Sequence, residues 1–104
     1  MGIDYEAYYG IGAQIDIESI EARSKHGEDF REVLDGLLPK NFSYFEVGNN
    51  YTNDFIPEVY IVVKNPFENG VDGLKAKTDE LQVFLIENEL KYEKIDCVGG
   101  LSVT

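Results

Sequence analysis

The run Glu58-Val59-Tyr60-Ile61-Val62-Val63-Lys64 limits what this chain can fold into more than any other stretch. It is β-branched at most positions and apolar on both faces of a period-two pattern. That pattern marks a strand covered by neighbours, since a half-exposed strand alternates more cleanly. Pro57 and Pro66 bound it, because a proline nitrogen cannot donate to a ladder. The remaining segments are read as neighbours or cover for this strand.

Residues 3–18 alternate for longer than any other stretch. Ile3, Tyr5, Ala7, Tyr9, Ile11, Ala13, Ile15 and Ile17 fall on one face, and Asp4, Glu6, Tyr8, Gly10, Gly12, Gln14, Asp16 and Glu18 on the other. A strand with one buried and one wetter face follows, with Gly10 and Gly12 expected to allow a bend or bulge midway. From Ser24 to Leu38 the spacing turns helical: Phe30, Val33, Leu34, Leu37 and Leu38 make an apolar stripe, and Pro39 stops it. Phe42 to Val47 reads as a short strand, and Gly48 to Asp54 as the long tip of a hairpin leading into 58–64. A second helix is expected over 72–90, with Leu74, Thr78, Leu81, Phe84 and Leu85 inward. Gly73 weakens its first turn, so its onset could fall as late as Thr78. Residues 95–103 alternate again and close the chain as a strand.

The order β-α-β-β-α-β predicts an α+β, two-layer sandwich of the ferredoxin-like kind. In it an antiparallel four-stranded sheet carries two helices on one face. An α+β meander with the same elements in another strand order is the rival. At 104 residues the chain makes a single domain, 1–104, burying roughly two-thirds of its unfolded surface.

Seven tyrosines, six phenylalanines and 43% apolar residues describe a folded protein, while a net charge of −11 makes it strongly acidic. Direct nucleic-acid binding is disfavoured, because that affinity comes from Lys and Arg neutralising phosphates. An anionic membrane surface is disfavoured for the same reason, whereas a basic protein partner suits the charge. The lone Cys97 excludes an internal disulfide or a Cys-rich zinc site. Its phase in the last strand predicts a packed thiol. No apolar run is long enough to span a membrane and the amino terminus lacks a secretion pattern, so a cytoplasmic protein is expected.

With both helices on one face, the other face is left bare. Strand phase places Tyr8, Tyr60, Val62 and Val98 there, with Tyr44 from the second strand, around two glycines and a rim of carboxylates. Paired aromatics on central strands suggest an RNA-stacking platform, but carboxylates stand where basic residues would track a backbone. A partner-binding or homodimer surface fits better. The competing reading is plain: isolated tyrosines are ordinary on a sheet face.

Asp4 with Glu6, and Asp16 with Glu18, each set two carboxylates on one strand face. These are candidate ligands for a hard cation and equally what a solvated strand face produces. Glu28, Glu32 and Asp35 on the first helix, and Asp79, Glu80, Glu87 and Glu89 on the second, could imitate a line of phosphates, or could simply keep the surface solvated. His26 reads as a surface residue. Gly10-Ile11-Gly12-Ala13-Gln14-Ile15 lacks the third glycine and the following helix of a dinucleotide fingerprint. No catalytic residue and no cofactor are expected.

The opening Met1-Gly2-Ile3-Asp4-Tyr5, followed by Tyr9-Gly10-Ile11-Gly12, resembles small accessory proteins of tailed bacteriophages over about the first fifteen residues. The resemblance implies a non-virion protein of the bacterial cytoplasm and carries no activity with it. Together these readings predict a small acidic, non-catalytic binding protein, an inhibitor that engages a host nucleic-acid-binding or defence protein. The alternative is a small-ligand or metal-dependent enzyme using the carboxylates of the open sheet face.

Overall fold

The computed structural model describes residues 5–24, 27–49 and 58–103, with side chains at 10–24, 27–48 and 58–99. The elements run β1 (Tyr5–Ile15), α1 (Ile17–Glu21), α2 (Phe30–Leu37), β2 (Phe42–Asn49), β3 (Glu58–Val63), α3 (Gly70–Glu87) and β4 (Asp96–Val103). Among the described residues the fold is α+β, with four strands in one sheet and three helices that contribute to the larger of two cores.

β1 pairs antiparallel with β3 through Gly12↔Val62 to Ile15↔Val59. It also pairs with β4 through Tyr5↔Val103 to Gly12↔Asp96. β2 pairs antiparallel with β3 from Phe42↔Val63 to Val47↔Glu58. A short parallel ladder, Gly48↔Ser102 and Asn49↔Val103, then joins β2 to β4 and closes the sheet into a ring.

Two glycines make the closure possible. A Cβ on Gly12 would lie 1.9 Å from the Ile61 carbonyl oxygen, and one on Gly10 would lie 2.8 Å from Val62 Cγ1. Only hydrogen fits there, so β1 can bend across β3 and carry β4 round toward β2.

The outer face of the ring holds Ala13, Ile15, Phe42, Val59, Ile61 and Val63, covered by Ile20 of α1, Phe30, Val33 and Leu34 of α2, and Leu81 and Leu85 of α3. Burying each of the large aliphatics stabilises the fold by about 1.5–3 kcal/mol against leaving it wet. α2 begins at Phe30, later than Ser24, whose Oγ accepts a hydrogen bond from the Glu28 N–H. It stops where Leu38, before Pro39, turns extended at ψ 129, as residues preceding proline do. α3 ends at Glu87, and Glu89 at φ 56 reverses the chain so that Leu90 still reaches the core, 4% exposed.

The ferredoxin-like sandwich is not reproduced. Among the described residues there are three helices instead of two, and the β2–β4 ladder turns the second sheet face inward at Val47, Tyr60 and Val62. Residues 16–18, expected to prolong the first strand, begin α1 instead. Asp16 caps it by accepting the Glu18 N–H at 3.0 Å, and Ser19 Oγ donates to the Asp16 carbonyl at 2.7 Å. The run 15–20 carries Ile at 15, 17 and 20, which suits both periods; the cap decides for helix.

Candidate functional site

The expected docking face turns into the ring. Tyr60 and Val62 are 6% and 7% exposed and pack with Val47 into a second core. Phe45 and Val98 close that core, and the Phe45 ring stacks on Tyr60 with centroids 5.2 Å apart. Tyr60 and Val62 are therefore core residues, and Val98 packs against them half-buried. Tyr44 corrects another expectation: it points to the helix side, because Phe45, not Tyr44, lies opposite Tyr60 in the ladder. The side chains of Tyr8 and Glu6, and all of Asp4 and His26, lie outside the described residues.

Cys97 is exposed, contrary to a packed thiol. It shares the phase of the outer core but pairs with Ile11, on the half of β1 that precedes the buried residues Ala13 and Ile15. Asp16 and Glu18 no longer share a strand face once α1 intervenes, and the Asp16 carboxylate is spent on its cap. Among the described residues no three His, Cys, Asp or Glu side chains converge as a metal site would need. No helix there is long and apolar enough to cross a membrane.

On α2 the acidic candidates divide. Glu32 is exposed and unpaired among the described residues, while Glu28 is half-buried just before the helix. Asp35 shares a hydrogen bond with Tyr44, whose hydroxyl is pushed above its ordinary pKa by burial and by the charge of Asp35. Between them Arg31 makes a forked pair with Glu46, Nε–Oε2 2.7 Å and Nη2–Oε1 2.6 Å. It also bonds Asp29 at 2.9 Å and lies 4.5 Å over the Phe30 ring. Hydrogen bonding to Glu46 holds the guanidinium charged well beyond its usual range. Arg31 thus ties the start of α2 to β2 through Glu46.

A separate concavity opens at one mouth of the ring. The Asp16 N–H donates to the Lys91 carbonyl at 3.0 Å, and the Lys91 N–H donates to Ser19 Oγ at 3.0 Å. Tyr92 then bridges to Ile15, and the chain rejoins β1 at Asp96↔Gly12. Three residues, 93–95, thus stand opposite two, Ala13 and Gln14. The surplus residue bows the segment away from β1 and opens a cleft of about 700 Å³. Gln14, Tyr60, Tyr92, Lys94, Asp96 and Val98 are among its walls.

Tyr60 Oη donates to Glu58 Oε2 at 2.8 Å, and burial followed by that bond pushes the phenol up to about 12. Asp96 accepts the Cys97 N–H at 2.8 Å and pairs with Lys94 at 3.4 Å, which together hold its carboxyl below the usual range. Sequence reasoning passed over Lys91 to Lys94 because they fall between a helix and a strand. The available signal was Tyr92, an aromatic flanked by charges in a connecting segment.

No protein-family model matches this chain, and neither the curated proteins nor the solved structures provide a match.

Proposed function

We propose that this chain is a small acidic binding protein, without catalytic chemistry of its own, that engages a basic protein surface. The observation that carries the reading is how its charges are spent. Arg23, Arg31, Lys77 and Lys94 are each paired with carboxylates of the same chain. Glu32 on α2, and Asp72, Asp79 and Glu87 on α3, have no basic partner among the described residues and are exposed. Exposed carboxylates on two rigid helices, in a chain of net charge −11, offer fixed negative points to Arg and Lys of a partner. Proteins that ordinarily hold nucleic acid present such surfaces. The phage-like opening of the sequence supplies a setting, the inhibition of a host factor inside a bacterium.

Capture from bacterial lysate on the immobilised chain, followed by mass spectrometry, tests the proposal. The expected result is a basic partner that is released at about 0.5 M salt, where exposed charges are screened beyond a few ångströms. Capture should also weaken at least tenfold in the triple variant Glu32→Gln, Asp79→Asn, Glu87→Gln. A partner indifferent to both salt and variant would overturn it. Light scattering in parallel separates a heterologous partner from a second copy of the chain.

A further inference from the structure

The cleft beside the 93–95 bulge is independent of the acidic helix faces, and its chemistry points to a different kind of ligand. Its volume, about 700 Å³, falls within the roughly 300–1,000 Å³ that small organic ligands occupy, and barrel mouths are a common place for such sites. Its lining is more polar than apolar: Gln14 and five charged side chains surround the half-buried Tyr92 and Val98 and the buried Tyr60. Gln14 presents an exposed amide with no hydrogen-bond partner among the described residues.

The sign of the ligand follows from the charges at the rim. Asp16, Glu93 and Asp96 stand there against Lys91 and Lys94. Lys94 is drawn onto Asp96, while Lys91 has no acidic partner among the described residues. Beyond the rim lies a molecule of net charge −11, whose field repels anions and concentrates cations at any opening. An aromatic body suits the tyrosine walls, and a cation over a tyrosine ring gains further attraction.

We propose that this cleft binds a small organic cation with an apolar ring, an arylalkylamine in chemical class. The ammonium group meets Glu93 and Asp96 at the rim and the ring lies against the exposed part of Tyr92.

Three probes of one shape and different charge test it on the intact chain: phenethylamine, 2-phenylethanol and 3-phenylpropionate, each titrated to millimolar levels against ¹⁵N-labelled protein. Phenethylamine is expected to shift the amides of Gln14, Tyr60 and Lys91 to Gly99 saturably. The alcohol should act more weakly, and the acid not at all. Asp96 is exposed on the surface, so Asp96→Asn is expected to fold, and it should weaken the amine roughly three- to fivefold, as should added salt. Glu32→Gln, remote from the cleft, should leave the amine titration unchanged. Stronger binding of the acid would overturn the proposal by giving the site to its lysines. Equal shifts with all three probes, shifts spread over the surface, or no saturable shift would each overturn it as well.

Discussion

Gly12 sits where β1 must hold ladders on both sides at once, pairing with Val62 on β3 and with Asp96 on β4. A methyl group there would meet the Ile61 carbonyl at 1.9 Å, and backbone on a central strand cannot yield cheaply. Gly12→Ala is expected to cost roughly 3 kcal/mol or more, read from the urea unfolding midpoint. Gly36, in α2, has nothing within 4 Å of its would-be Cβ. Gly36→Ala should stabilise by about 0.5–1 kcal/mol through helix propensity and a less free unfolded chain. Tyr60 supplies a pH-dependent counterpart. Its phenol rises from 10.0 to about 12 on folding, so the folded state holds the proton more tightly than the unfolded chain. That contribution is whole below about pH 10 and is lost as the pH climbs through about 12. Stability followed against pH should fall across this window, and Tyr60→Phe should flatten the fall.

At the level of elements, α1 rests on one capping residue. Asp16→Ala is expected to cost about 1 kcal/mol, seen as a lower melting temperature. It should also loosen the 91–92 crossing that Ser19 holds. The same short helix shows where the sequence was legible and where it was not. Long segments with one dominant period were readable: β3, the stripe of α2 and the inner face of α3 follow their residues closely. Where β1 is described, the alternation placed Ala13 and Ile15 on a buried face, 0% and 2% exposed, though Gly12 on the face expected to be wetter is buried as well. Residues 15–20 were ambiguous because their isoleucines satisfy two periods, and only the hydrogen bonding of Asp16 separates them. Tyr44 was misplaced because Phe42, Tyr44 and Phe45 put aromatics on both faces of β2, so phase could not be read from hydrophobicity. The cleft was hidden for another reason. It comes from a mismatch in residue number between β1 and the 92–96 segment, which are far apart in sequence and meet only once the strands pair.

Across the whole molecule, a net charge of −11 on 104 residues means the compact state repels itself. The ion pairs are surface pairs between partly exposed side chains, such as Arg31 and Glu46 at 45% and 24% exposure, each worth at most about 1 kcal/mol. Screening should therefore relieve more repulsion than attraction. The melting temperature is expected to rise on going from low salt to about 0.2 M sodium chloride, and a fall would show that the pairs outweigh the repulsion. The pairing of Tyr5 with Val103 has a temporal consequence. The first half of β1 finds its hydrogen-bonding partner up to 98 positions further along the chain. Its backbone should wait unmatched until β4 docks, because a contact so distant in sequence carries a large loop-closure cost. Refolding of the full chain should accordingly be slow for its size, in the millisecond-to-second range of domains governed by distant pairings. The arrival of β4 should be the step that makes the molecule whole.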